Sequence, residues 1–399
     1  MRGVVKFLLT LILGVALIWL GFWWYAESRL QSAFTVWTRN RTAQGWKISY
    51  DSIQRGTSLL DAAVTINNLN LVLPPGPAGA SAAIALPAVT LRIHALNPLV
   101  FHTDLPNKIA VTLGNNLALV LNTGSIALSE NLDPDKLFNR AADPFRGGDF
   151  SAGDIDILAS AGSLLVLHID SLTSHADLNL SAGPANTAVF SRITFDNVVL
   201  SPLITRLAAI PFGGKLNHLV LFARISGPLP PNLPAVLNQL SADSADLTAQ
   251  QKQIIPLIHQ WAAQGGTGNA GLNLDLGPST AVAAGSLKFD ANLQPNGTAD
   301  LTANHLDQFT AALTNAYPML QDDITRAEAQ LSPYLGNTDQ GGQILNLHLT
   351  YGKPGILING QKIADMKPLD WNALENPLPP PIQAQGDGSG AASPGPAKP

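Results

Sequence analysis

Between Trp46 and Ile358, apolar and polar residues alternate with a period of two through most of the chain, which predicts β-strands with one buried face. Trp46, Ile48 and Tyr50 alternate with Lys47, Ser49 and Asp51. Val64 and Ile66 continue the pattern. Leu69, Leu71 and Leu73 resume it after a slip at Asn67-Asn68 that predicts a turn or bulge. Further rows stand at Leu91 and Ile93, at Ile109, Val111 and Leu113, and at Leu117, Leu119 and Leu121. Leu165, Leu167 and Ile169 come next, then Leu178 and Leu180, then Leu219, Leu221 and Ile225. After a helical interval the rows return at Leu272, Leu274 and Leu276, at Leu287, Phe289 and Leu293, and at Leu301. Leu345, Leu347 and Leu349 face Ile356 and Ile358 across Gly352-Lys353-Pro354-Gly355, a closing hairpin. Many short alternating strands with Gly, Asn and Pro between them predict an antiparallel meander. The expected fold class is mainly β with helices (α+β), a long curved antiparallel sheet or groove with helices packed at one end.

The pattern breaks first at the N-terminus. Phe7 to Ala26 is an uncharged run whose length matches the roughly 20 residues a helix needs to cross the hydrocarbon core of a bilayer. Bulky Phe22, Trp23, Trp24 and Tyr25 stand where a cleaved signal would carry a small-x-small site, so the run predicts an uncleaved transmembrane signal anchor. Phe7, Trp19, Trp23, Trp24 and Tyr25 are its expected membrane contacts, with the aromatic rings at headgroup level. Arg2 and Lys6 precede the run and put residues 1–6 in the cytoplasm. Residues 27–376 are then an extracytoplasmic β-rich domain, and the protein a single-pass inner-membrane protein with its body in the periplasm.

Other helical stretches are few. Leu30, Phe34 and Trp37 carry the first helix on to Thr42, and Gly45 closes it as a C-cap. A short helix is expected at Pro202–Ala209. An amphipathic one is expected over Leu233–Ala263, broken before Pro256, and another over His305–Leu335, broken at Pro318 and Pro333. Residues 377–399 are rich in Pro, Gly and Ala and predict a disordered tail.

Composition narrows the function classes. Only 13% of residues are charged, well below the roughly 25% of ordinary soluble domains, which suits alternating strands better than charge-coated helices. A net charge of −5 without a basic stripe argues against nucleic acid as a partner. With no cysteine, disulfide frameworks and thiol chemistry are excluded.

Candidate chemistry is sparse. His168-x-Asp170 and His175-x-Asp177 resemble ligand pairs, but strand phasing sets His168 and Asp170 on the polar face and a third ligand is missing, so no metal site is expected. His94, His218 and His348 read the same way. Serine elbows of the form G-x-S-x-G are lacking, and Gly265 to Gly271 follows a helix without Gly-Lys-Ser/Thr, so it is a connection rather than a phosphate loop. Asp322-Asp323 reads as a solvated acidic helix face. The expectation is no enzyme, no catalytic residue and no cofactor.

Several short signatures carry a resemblance: Trp24-Tyr25 with Glu27, Gly45-Trp46-x-x-Ser49-Tyr50-Asp51, and Leu86-Pro87 before a strand. Gly265-Gly266, Gly277-Pro278, Gly285, Phe289-Asp290 and Pro295-Asn296-Gly297 extend it. Over roughly residues 20 to 370 the chain resembles the single-anchor bacterial envelope proteins of domain-of-unknown-function family 2125, departing from the pattern at Gly56-Thr57-Ser58. More distantly it is similar to AsmA-like envelope proteins, which implies a curved sheet forming an apolar groove linked to lipid movement or envelope upkeep. The bilayer is one expected partner, with phospholipid or another apolar ligand, and other envelope proteins, as further ones. Groove candidates are the leucine rows Ile109, Val111 and Leu113, Leu165, Leu167 and Ile169, and Leu219 and Leu221, concentrated mid-chain rather than near the two later helices. The alternative is a scaffold that binds another envelope protein through its sheet edge or tail.

Overall fold

The computed structural model describes residues 2–58, 60–75, 81–114, 117–133, 145–159, 162–233, 236, 247–338, 342–353 and 355–376, and of residues 2–20, 22, 145 and 247–251 the backbone only. Helix α1 (Arg2–Ala43) is continuous. Its described half packs a stripe at helical spacing, Trp23, Ala26, Leu30 and Phe34, onto the first strands. The helix stops where Gly45 takes a φ of +85° and Trp46 N–H bonds the Arg41 carbonyl at 3.0 Å, the capping expected from the glycine. Among the described residues no helix is long and apolar enough to cross a membrane. The side chains of Phe7 and Trp19, on which the anchor expectation partly rests, lie outside those described, as do residues 377–399.

Strands β1 (Lys47–Ser49) and β2 (Ser52–Arg55) lie end to end along β3 (Asp61–Val72), which pairs with β4 (Ala82–His94). β5 (Asn97–Asp104) and β6 (Lys108–Leu113) follow end to end along β4. β7 (Leu117–Asn122) and β8 (Ser125–Leu132) do the same along β9 (Phe145–Ala159). From there each strand pairs with its successor: β10 (Leu164–Leu178), β11 (Thr187–Leu200), β12 (Lys215–Ser226), β13 (Thr267–Leu276), β14 (Ser279–Phe289) and β15 (Pro295–Asn304). β16 (Leu335–Asn337), β17 (Gln343–Gly352), β18 (Gly355–Ile358) and β19 (Gln361–Ala364) close the sheet, with β17 beside β15. Among the described residues all nineteen strands join one sheet, antiparallel throughout, as the alternation predicts.

A transverse crease crosses this sheet. In the ladder of β3 and β4, Asn67 pairs with Ala88 and Leu69 with Leu86, leaving Asn68 and Pro87 unpaired. The same gap recurs at Asp154 opposite Asp170, at Asp170 opposite Asn197, and at Asn197 opposite Asn217. Between these two groups lie the breaks that separate β5 from β6 and β7 from β8, where Gly124 N–H reaches the Gly153 carbonyl at 2.9 Å. Asn68, Asp154 and Asn197 take φ values of +51°, +51° and +48°, the left-handed region that Asn and Asp tolerate best among non-glycine residues. At the crease two successive side chains face the polar side, so buried partners are three apart instead of two: Ile66 and Leu69, Val89 and Leu86, Ala152 and Ile155. Ile169 and Leu172, and Phe195 and Val198, keep the same spacing. The Asn67-Asn68 slip is one point on this line.

The remaining helices are α2 (Pro202–Leu207), α3 (Leu247–Ala263), α4 (Leu306–Ala316), α5 (Gln321–Leu331) and α6 (Trp371–Glu375). One expectation needs correction. α3 runs through Pro256 without a break. The missing proline N–H removes one hydrogen bond, and the burial of Leu257 and the packing of Trp261 beside it hold the helix against the sheet. Most of the residues from Leu233 to the start of α3 lie outside those described. The later helices α3, α4 and α6 serve one end of the strand order, while α1 covers β3 and β4 at the other. The breaks at Pro318 and Pro333 are present, each marked by a short 3-10 turn.

Candidate functional site

The leucine rows proposed as groove do not converge on one cleft. Ile109 is buried in a core cluster with Phe34, Ile66, Leu69, Leu86 and Val89, and Val111 packs against it. Ile169 is buried in a second cluster with Ala152 and Ile155, with Leu167 alongside. Leu113, Leu165 and Leu221 are exposed, and Leu219 is half-buried. Seven of these row residues belong to one face of the sheet, whereas the bulge between Leu165 and Leu167 turns Leu165 to the other, and none of the eight lines the large apolar cleft.

That cleft lies between α3 and the strands β12 to β15, next to a later helix rather than mid-chain. Register explains its floor. Ala223 of β12 stands opposite Ala270, Ala270 opposite Gly285, and Gly285 opposite Ala299, so one row across four strands carries no side chain larger than a methyl. Larger residues flank the row, Ile225 and Leu287 on one side and Leu272 and Leu301 on the other. α3 roofs the first part with Ile254, Leu257, Ile258 and Trp261, positions spaced for one helix face. The volume there is about 680 Å³. The floor residues Ala270, Gly285 and Ala299 continue into a second apolar space of about 490 Å³, bounded by Leu347, Leu349 and Ile358. Both volumes fall within the roughly 300–1,000 Å³ of small-molecule sites.

Aromatic packing fixes the roof. Trp261 donates its indole N–H to the Ser226 carbonyl at 3.0 Å and meets Phe289 edge-on at 5.9 Å. His259 stacks on Trp371 at 4.6 Å and bonds Glu375 at 2.7 Å, tying α6 to α3. Trp371 in turn donates to the Leu293 carbonyl at 3.0 Å. A third cleft, of about 760 Å³, includes Lys288, Lys353 and Lys367 with Asp290.

The opposite, polar face carries the histidines. His168 bonds Asp156 at 2.7 Å and Asp170 at 2.9 Å, while Asn197 donates to the other oxygen of Asp170 at 2.7 Å. His175 bonds Asp149 at 2.7 Å and Asp177 at 2.8 Å. Carboxylates only accept, so satisfying both ring nitrogens needs an imidazolium. The hydrogen bond to Asp156 is the main reason His168 is held above the ordinary 6.5, with burial opposing it and Asp170 adding to it. For His175 the bonds to Asp149 and then Asp177 raise it in the same sense. Asp196 is lowered by the Ser171 hydroxyl first and His218 second. The i, i+2 pairs read from sequence therefore do meet, but the cross-strand partners Asp156 and Asp149 needed the register to be seen. Among the described residues no group of three or more His, Asp or Glu side chains could hold a metal ion.

A family model described as "Uncharacterized protein conserved in bacteria (DUF2125)" matches residues 23–352. The chain belongs to the DUF2125 family. The matched span of this DUF2125 protein starts at Trp23, an aromatic of α1 that packs on the sheet, and ends with β17 at Gly352. It takes in the crease and the floor of the apolar cleft. α6, which clamps the roof, lies beyond it. No curated protein and no solved structure matches the chain.

The histidine clusters of this DUF2125 protein set an expected pH response. A group whose folded value is raised contributes stability that is complete below its unfolded value and is lost as pH rises through the folded one. His168 and His175 should therefore support the fold below about 6.5 and less so above. The melting temperature is expected to fall between pH 6 and pH 8. The double variant His168→Gln, His175→Gln should show a flatter profile over that interval. Equal profiles for parent and variant would remove the clusters from the pH response.

Proposed function

We propose that the protein is a membrane-anchored, non-enzymatic component of the bacterial envelope that holds an acyl chain or a similarly apolar ligand between α3 and the sheet. The observation carrying this reading is the roofed apolar cleft of about 680 Å³, continuous through its small-residue floor with further apolar space. Support for the location comes from the uncharged run Phe7–Ala26 behind Arg2 and Lys6, which favours a single span with the body on the periplasmic side. A leucine-rich sheet face near a bilayer has a ready supply of acyl chains. The likeness to AsmA-like proteins is an analogy of architecture and adds a direction rather than a demonstration.

The test uses a photoreactive benzophenone side chain in the full chain, in membranes. At Ile258, on the roof, it should capture lipid. At Val282, on the other face of β14 and 50% exposed, it should not. Ala299→Trp, which fills the floor, should abolish capture at Ile258. Capture that is equal at both sites, or unaffected by the filled floor, overturns the reading.

A second reading is favoured by the edge. β19 is exposed at every position and presents Ile363 at 52% exposure, a surface on which another envelope protein could add a strand. Capture of a protein rather than lipid by the benzophenone side chain would favour it.

A further inference from the structure

The sheet has two rims, because antiparallel strands end alternately at one side and the other. One rim includes the start of β3, the end of β4 and the start of β5, and there large apolar side chains are left uncovered. Leu60 is 59% exposed, Leu96 82% and Leu99 40%. Beside them, on α1, Trp24 is 65% exposed and Tyr25 39%. The neighbouring stripe Trp23, Ala26, Leu30 and Phe34 is buried against the sheet, so Trp24 and Tyr25 lie on the other side of the helix.

The group is built as one rigid piece. Trp23 donates its indole N–H to the Ser58 carbonyl at 2.7 Å, fixing the loop before β3 to the helix. The Ser58 hydroxyl accepts from the backbone N–H groups of Leu60 and Asp61 at 3.1 and 3.2 Å, and holds the turn that presents Leu60. Ala95 N–H bonds the Leu60 carbonyl at 3.0 Å, which links the β4–β5 turn carrying Leu96 to the same loop. Beneath them Trp23, Ala26, Ala62 and Val64 form a buried cluster with Ile93, Ala95 and Phe101 packed around it. A core this well filled does not need three further leucines at its edge, and exposing them to water is unfavourable.

The occupant follows from chain continuity. Trp24 and Tyr25 are among the last residues of the uncharged run Phe7–Ala26, so whatever solvent receives that run reaches the leucine rim. We propose that this rim docks on the lipid bilayer, with Leu60, Leu96 and Leu99 entering the headgroup–acyl boundary next to the Trp24 and Tyr25 rings. This rests on the anchor part of the function proposed above and adds to it: the sheet stands on the membrane by a fixed rim instead of hanging from a tether. Aromatic and leucine side chains suit that boundary, and the hydrogen bonds above mean that little ordering remains to be done on contact.

The chain contains no cysteine, so single cysteines labelled with the environment-sensitive dye NBD report unambiguously. The full chain is placed in vesicles of phosphatidylethanolamine and phosphatidylglycerol that carry doxyl-labelled acyl chains as quenchers. NBD on Leu60→Cys and on Leu96→Cys should shift to the blue and lose most of its emission. Leu207→Cys and Met319→Cys serve as controls, being apolar and 77% and 86% exposed at the opposite rim. They should keep their emission. Leu13→Cys, inside the uncharged run, reports on the anchor itself. Quenching at Leu13 with none at Leu60 or Leu96 overturns the docking rim and leaves the anchor standing. Quenching at neither overturns both. Equal quenching at Leu207 means that the body lies on the lipid without a preferred rim, and that also overturns the proposal.

Discussion

Ile66→Asp is expected to unfold the protein, whereas Leu221→Asp should leave it folded. Ile66 has no exposed surface, and packs among Phe34, Leu69, Leu86, Val89 and Ile109 where α1 meets the sheet. A carboxylate there finds apolar side chains on every side, and losing the isoleucine packing adds to the cost of burying the charge. The sum is about 4 kcal/mol or more. That is much of the roughly 5–15 kcal/mol that holds a domain folded. Leu221 is 42% exposed on the same face of the sheet, so its replacement can remain hydrated and should cost little. The check is the melting temperature and denaturant midpoint of the two variants measured side by side. Equal, large losses would show that the face around Leu221 is sealed by something that its exposure does not reveal.

The second large effect is expected at the crease. Asn197 sits in mid-sheet at a φ of +48° and donates to Asp170 at 2.7 Å. Asn197→Val puts a β-branched side chain into the left-handed region and removes the donor. Backbone strain of about 1–2 kcal/mol and a charge-assisted hydrogen bond of similar size are then lost together. Asn197→Gly removes the hydrogen bond but relieves the backbone, so its loss should be clearly smaller. Urea midpoints of the two variants give the comparison. If glycine proves as damaging as valine, the left-handed backbone is not what the site requires and the asparagine acts through its amide alone.

The strands were readable because their inward residues are leucine, isoleucine and valine, which make alternation visible in a single chain. The crease was recognisable as a slip at Asn67-Asn68. Ile169-Asp170-Ser171-Leu172 and Phe195-Asp196-Asn197-Val198 carry the same two-residue interruption, but only the register of the ladders shows that these points lie on one line. The apolar cleft escaped for a different reason. Reading rows of large side chains leads to where the core is filled, and Ile109 and Ile169 do lie there. An unfilled space is made by residues that are small, and Ala223, Ala270, Gly285 and Ala299 become a row only once four strands are in register. Likewise Pro256 predicts a break on local grounds, and tertiary packing overrides it. His168 was placed on the correct face, while the second carboxylates of His168 and His175 come from a neighbouring strand that sequence spacing does not index.

Because each long strand pairs with the one just made, the sheet can be assembled in the order in which the chain is delivered. A chain emerging N-terminus first would find α1 already in place as a template for β3, and every later hairpin would extend an existing edge. Growth of this kind closes short loops at most steps, the span from Ser226 to Thr267 being the long one, which favours rapid folding and limits the time for which an unpaired strand is exposed. The exceptions are few and come late: Tyr317 reaching the Ala208 carbonyl, and Glu375 reaching His259 across 116 residues of chain. α6 therefore acts as a terminal latch. Until it arrives, Trp261 ties α3 to the strands through Ser226 and Phe289, and a chain stalled before Trp371 would present the same floor with a less firmly held roof.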